Sequence, residues 1–146
     1  MLIFKSIASA LIVALAMSPA LAESLKFIEQ TDQGAFKILD QDKSGGNSMG
    51  DIELWSAPAA DADGKEIGKS SGHCLYISET YKHCTWSLTT NEGNLVFVGV
   101  IDNTKPLHPY TIVGGDKAYV GASGSMNAID KYKEKGIYEI EVNLGK

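Results

Sequence analysis

The fold is decided by one stretch, Asp63-Gly64-Lys65-Glu66-Ile67-Gly68-Lys69-Ser70-Ser71-Gly72-His73-Cys74. Its glycines recur every four residues, and each would cost about 1 kcal/mol in the interior of a helix. In an extended chain, residues four apart point to the same face. A face without side chains indicates that a bulky group crosses it closely, or that the strand coils sharply. Strands of this kind are typical of small closed β-barrels.

The sequence on both sides of this stretch consists of short apolar runs separated by turn residues. Helical periodicity is absent, and no repeat of fixed period is visible. Runs of this length and number in one domain predict an all-β fold. We expect strands near residues 25–29, 36–39, 52–56, 67–78, 81–90, 95–101, 110–113, 118–129 and 137–144.

The first 22 residues have the pattern of a signal peptide. Lys5 precedes an apolar run over residues 7–17, and Ala20-Leu21-Ala22 matches a small-x-small cleavage site. The run is short for a bilayer span, although a retained anchor helix is the alternative. We therefore expect cleavage near Ala22, a single mature domain over residues 23–146 without a membrane span, and a periplasmic or secreted location.

The charge balance excludes some classes of partner. The chain carries a net charge of −5 and contains no arginine. Without a basic stripe, binding to nucleic acid is not expected. Without arginine, the best bidentate contact to a carboxylate or phosphate is also missing. Apolar or neutral small molecules fit this composition better.

The only two cysteines, Cys74 and Cys84, predict one disulfide in an exported chain, with free thiols as the alternative. If residues 78–80 form the turn of a hairpin, the two cysteines lie directly opposite each other. A disulfide there stabilises the fold by about 2–4 kcal/mol, mainly by restricting the unfolded chain.

Two patterns resemble metal sites, but we expect neither a metal nor a cofactor. His73 and His83 each precede a cysteine, yet neighbours on a strand face opposite ways and cannot converge on one zinc ion. The segment from Asp40 to Asp51 has calcium-loop spacing but lacks flanking helices, so an acidic turn is the preferred interpretation and calcium remains open. His73, His83 and His108 are expected at the surface, since none adjoins a nucleophile motif.

Several motifs occur in an order that resembles the allene oxide cyclase barrel family, which is related to plant dirigent proteins. They are Gly50-Asp51-Ile52, the strand with Gly68, Gly72 and Cys74, the Gly93 hairpin, Gly99, and the run from Val113-Gly114-Gly115 through Tyr119 to Gly124. The resemblance implies an eight-stranded antiparallel, lipocalin-like β-barrel with an apolar cavity. It also implies a homo-oligomer, since plant relatives are commonly trimeric.

The resemblance carries over to few site residues. Cys74 takes the position of a cavity cysteine of the plant cyclases, and Glu29 is the nearest match to their first-strand glutamate. Their second-strand asparagine is replaced by Ser56 or Ala57, and the cavity arginines of dirigent proteins are missing. A disulfide would also remove Cys74 as a free side chain.

Three functions follow as hypotheses. The first is an exported barrel that binds a small apolar or aromatic ligand, with Trp55, Tyr76 and Phe97 as wall contacts. The second is a cyclase or isomerase of an unsaturated substrate, in which Glu29 steers or protonates. The third is a structural barrel without a ligand, whose aromatic side chains fill the core.

Overall fold

The structure is a computed structural model that describes residues 23–145. The predicted signal peptide lies outside the described residues. Nine strands form in the described part: β1 (Glu23–Glu29), β2 (Ala35–Leu39), β3 (Ile52–Ala60), β4 (Glu66–Tyr76), β5 (Tyr81–Thr90), β6 (Asn94–Asp102), β7 (Leu107–Gly115), β8 (Ser123–Lys131) and β9 (Ile137–Gly145).

The helical elements are short. Two 3-10 turns cover Thr31–Gln33 and Lys117–Tyr119, and the helix α1 covers Tyr132–Lys135. Within residues 23–145, none of these helices has the length and apolar character needed to cross a membrane.

The strands form one antiparallel sheet that closes on itself. Its order is β1-β9-β8-β7-β6-β5-β4-β3, and β1 meets β3 through the pairs Ile28–Ala60 and Glu29–Ala59. The predicted all-β, eight-stranded antiparallel barrel is therefore confirmed. The remaining strand, β2, is not part of the closed barrel and pairs with β3 alone, beyond the point where β1 ends. It continues the direction of β1 after a break at the first 3-10 turn, so it leaves the wall at one end of the barrel.

Alternation places every second residue of each strand inside the barrel. The buried interior includes Phe27, Leu88, Leu95, Phe97, Ile101, Met126, Ile140 and Val142. The predicted disulfide joins Cys74 and Cys84, which are directly opposed in the β4–β5 register and both face this interior.

The glycine stretch has the expected consequence at Gly72. A Cβ atom there would lie 2.5 Å from Cζ2 of Trp55, so the missing side chain makes room for that indole. Gly64, by contrast, lies in the preceding turn with a φ of +81°. At Gly72 the crowding groups are thus the Trp55 side chain of β3 and, equally close, the backbone carbonyl oxygen of Thr85 on β5.

The strand expected over residues 118–129 is shorter than predicted. Lys117–Tyr119 forms a 3-10 turn, and β8 begins only at Ser123. Gly121 adopts a φ of +77°, a left-handed conformation that glycine accepts at little cost but that ends an extended run. The alternation of small and aromatic residues therefore predicted a strand that begins too early in the chain.

Candidate functional site

A cavity of about 220 Å³ opens at the end of the barrel where β1 stops and β2 diverges. Two exposed aromatic residues lie at its mouth, Phe36 with 59% and Tyr132 with 52% of its surface accessible. The other lining residues come from six strands and the first 3-10 turn: Glu29, Thr31, Glu53, Trp55, Cys74, Lys82, Trp86, His108, Tyr110 and Tyr138.

Aromatic rings form most of the inner wall. Trp86 lies at the centre, with edge-to-face contacts to Trp55, Tyr110 and Tyr138 at centroid distances of 5.7, 5.4 and 6.2 Å. Edge-to-face pairs of this kind hold rings in fixed orientations. The wall therefore offers rigid ring faces and edges to a molecule inside.

Glu29 is a buried carboxyl in the cavity wall, 2% exposed. Ser70 donates its hydroxyl to Oε2 of Glu29, and Thr31 donates to Oε1 at 3.2 Å. Ser70 in turn accepts the indole N–H of Trp86. Both direct donors are neutral, so this chain of hydrogen bonds orients the carboxyl without neutralising a charge on it.

Burial raises the pKa of Glu29 above its ordinary value of 4.5, although the neighbouring hydroxyl and indole groups lower it in part. The neutral acid is therefore favoured over a wider pH range than for an exposed glutamate. In that form Glu29 can donate a proton or a hydrogen bond into the cavity.

Replacing Glu29 by glutamine is expected to change the pH dependence of stability. Because the folded-state pKa lies above the unfolded value, the folded state holds its proton longer. The wild-type free energy of unfolding then falls as pH rises from about 4.5 towards the raised folded-state pKa, and stays lower above it. Glu29→Gln should match the wild type near pH 4 and exceed it by about 1–2 kcal/mol at pH 8. Urea unfolding across this range measures the difference.

The control for this experiment is Glu141→Gln, at an exposed glutamate whose side chain is 44% accessible. It should not reproduce the pH-dependent gain. A Glu29→Gln curve parallel to that of the wild type would mean that Glu29 ionises in the folded protein as it does in water.

Trp55 carries an indole N–H that is buried and has no hydrogen-bond partner among residues 23–145. The indole lies near the Glu29 carboxyl and lowers the pKa of Glu29 in part, but its N–H does not have hydrogen-bond geometry with either carboxyl oxygen. Buried polar groups in native proteins are nearly always paired, so an unpaired donor in a cavity wall is informative.

A buried ion pair lies on another part of the wall. Lys82 Nζ lies 2.5 Å from Oε2 of Glu53, and the hydroxyl of Tyr76 donates to Oε1 at 2.5 Å. The ammonium group also lies 5.6 Å from the centre of the Tyr76 ring. Burial and the bond to Glu53 raise the pKa of Tyr76 well above its ordinary range.

His108 corrects one expectation, because it is 6% exposed and lines the cavity, whereas His73 and His83 lie on the outer face. Its Nε2 lies 2.8 Å from the carbonyl oxygen of Lys105 and must donate to it. Burial lowers the pKa of His108, so the ring is neutral near pH 7 and its Nδ1 is a hydrogen-bond acceptor.

The residues selected from the sequence fall in different places. Glu29 and Trp55 line the cavity, as does Cys74 within its disulfide. Tyr76 is buried beside the cavity and reaches it through Glu53. Phe97 faces the interior opposite Trp86 but belongs to the packed core.

Sequence reasoning missed the other nine of the twelve lining residues, among them Trp86, His108, Tyr110 and Tyr138. A usable signal existed for Trp86, which shares the strand face of Cys84 two residues earlier. Tyr138 shares the face of the apolar Ile140 and Val142 in the same way. Choosing between the two faces of each strand required the closed barrel.

The acidic loop between β2 and β3 brings together carboxylates of Asp40, Asp42 and Asp51, with oxygens within 4.8 Å of one another. These groups accept hydrogen bonds from the loop itself. Asp51, for example, accepts backbone N–H groups of Gln41 and Ser48, both at 2.8 Å, and these bonds lower its pKa. The loop geometry is therefore explained by turn-forming hydrogen bonds.

Comparison with known proteins assigns a family to this geometry. The model of the family described as allene oxide cyclase barrel like domain matches residues 26–144. No curated protein sequence matches significantly.

Solved structures with the same barrel have low sequence identity. A structure titled pyocyanin demethylase has a TM-score of 0.73 at 20% identity and is aligned over 84% of this chain and 100% of its own. The pterocarpan synthase dirigent protein GePTS1 has a TM-score of 0.63 at 19% identity, over 84% and 82%. The Diels Alderase AbmU from Streptomyces koyangensis has a TM-score of 0.62 at 13% identity, over 87% and 71%.

Proposed function

The chain belongs to the family of allene oxide cyclase barrel like domains, and from this premise and the cavity we propose that it binds a small, largely apolar aromatic molecule. The observation that carries this proposal is the ring-lined wall around Trp86. Ligand cavities of this kind combine aromatic surface with a few placed polar groups.

The size of the cavity limits the ligand. A dry protein cavity of about 150 Å³ is large enough to take up benzene. A space of about 220 Å³ therefore suits one ring or two fused rings, with further atoms extending past the mouth. Trp55 is the predicted wall contact that faces this space directly, whereas Tyr76 and Phe97 would act by supporting it.

Indane, a two-ring hydrocarbon, is a suitable probe of this function. We expect saturable 1:1 binding by calorimetry, weakened about two- to tenfold by Phe36→Ala, which removes one aromatic contact at the mouth. The matched control is Val113→Ala, at an apolar residue of similar exposure outside the cavity lining. Absence of saturable binding would contradict the ligand-binding proposal and favour a structural barrel that has no ligand.

A catalytic role as an isomerase or cyclase of an unsaturated substrate is the second candidate. It is favoured by a proton donor and a proton acceptor in one cavity, the raised-pKa carboxyl of Glu29 and the neutral ring of His108. Deuterium exchange at the α-carbon of 1-indanone in heavy water tests it. Acceleration by the wild type that is lost in Glu29→Gln supports the role, and no acceleration contradicts it.

We further propose that the protein is exported, with cleavage near Ala22, and forms a homo-oligomer of the trimeric kind common among plant relatives. The outer wall of the barrel supports association, because Leu54 on β3, Leu75 on β4 and Val100 on β6 expose 39%, 42% and 54% of their surface. Native mass spectrometry of the extracytoplasmic fraction tests both points. A chain that retains residues 1–22, or a monomer at micromolar concentration, would contradict them.

A further inference from the structure

We infer that the ligand of this cavity carries a hydrogen-bond acceptor, such as a carbonyl oxygen or a ring nitrogen, which receives the indole N–H of Trp55. The inference rests on the proposed ligand-binding function and narrows its class. An aromatic hydrocarbon would bind by shape alone, whereas a flat ring system with an acceptor would bind by shape and by one directed hydrogen bond.

The N–H of Trp55 differs from that of Trp86, the other indole in the cavity wall. The N–H of Trp86 is donated to Ser70, and the hydroxyl of Tyr76 is donated to Glu53. The N–H of Trp55 is buried without a partner in the described part of the chain. A buried donor without an acceptor lowers the stability of the fold, unless a bound molecule supplies the acceptor.

The neighbouring carboxyl does not take this role. The N–H of Trp55 is close enough to the Glu29 carboxyl to lower its pKa in part, but it does not have hydrogen-bond geometry with either oxygen, and these oxygens accept the hydroxyl groups of Ser70 and Thr31. The burial that raises the pKa of Glu29 also favours its neutral form, which carries a donor of its own. An acceptor on the ligand would thus receive the N–H of Trp55 without competing with a charged carboxylate.

The position of Trp55 is fixed by its surroundings. Its ring lies against the backbone of Gly72, where a side chain would clash, and it makes a perpendicular contact with the Trp86 ring at a centroid distance of 5.7 Å. A donor held by two such contacts is oriented before the ligand arrives. Pre-orientation of this kind is what gives a polar group in a cavity its selectivity.

The test compares two probes that differ in one acceptor, indane and 1-indanone, in wild type and Trp55→Phe. We expect Trp55→Phe to weaken 1-indanone about tenfold more than it weakens indane. A second variant carries 3-benzothienylalanine at position 55, which keeps the ring size and removes only the N–H; it should weaken 1-indanone and leave indane unchanged. The infrared C=O stretch of bound 1-indanone should lie below its value in an alkane and rise in both variants.

The outcomes separate this inference from the function on which it rests. If neither probe binds to the wild type, the ligand-binding proposal itself fails. If both bind but the variants weaken them equally, or the C=O stretch does not respond, the cavity binds by shape alone and the inference is wrong.

Discussion

Lys82→Met is expected to lower the free energy of unfolding by about 3–5 kcal/mol, among the largest effects of any single substitution in this chain. Lys82 and Glu53 are both largely buried, with side chains 15% and 10% exposed, and their charged atoms lie 2.5 Å apart. Removal of the ammonium group leaves Glu53 as a buried charge whose remaining hydrogen bond comes from Tyr76. Urea unfolding at pH 7 measures the loss.

The double variant Glu53→Gln/Lys82→Met distinguishes the cost of one unpaired buried charge from the cost of losing the whole ion pair. Glutamine keeps an acceptor for Tyr76 and removes the charge, so the double variant should recover most of the lost stability. The exposed pair of Lys26 and Glu141, 2.7 Å apart, is the matched control. Lys26→Met should cost less than about 1 kcal/mol, because water solvates both groups. A Lys82→Met variant as stable as Lys26→Met would show that the Glu53 carboxylate is solvated in the folded state.

The fold was predictable because it depends on local patterns. Alternation, short turns and the glycine spacing determine the strands, and opposition of Cys74 and Cys84 follows from the hairpin turn alone. Gly34 lies at the break between β1 and β2. A side chain at Gly34 would clash with the backbone of Ser56, so the chain needs glycine where it leaves the barrel wall.

The cavity was less predictable because it depends on which face of each strand points inward. His108 illustrates the difficulty, since nothing in its sequence neighbourhood distinguishes it from the exposed His73 and His83. Its burial follows from closure of the barrel, which brings it within 6.1 Å of the Tyr138 ring, 30 residues away in the chain. The same holds for Lys82 and Glu53, whose strands direct both charged side chains towards the cavity.

Removal of the disulfide by Cys74→Ala/Cys84→Ala is expected to cost about 2–4 kcal/mol and to lower Tm by about 10 °C. The bond closes a loop with a sequence separation of 10 and thereby reduces the entropy of the unfolded chain. Both sulfur atoms are buried, so the alanine variant also loses apolar packing inside the barrel. Thermal unfolding under oxidising conditions, followed by circular dichroism, measures the change.

Reduced wild type separates the two contributions, because it keeps both side chains and loses only the covalent link. If restriction of the unfolded chain dominates, the reduced protein and the alanine variant should lose similar amounts of stability. If the variant is much less stable than the reduced protein, packing dominates. Because Cys74 also lines the cavity, packing losses should extend to the ligand site and weaken indane binding, whereas loss of the link alone should leave it intact. Equal stability of all three forms would contradict a stabilising role for this disulfide.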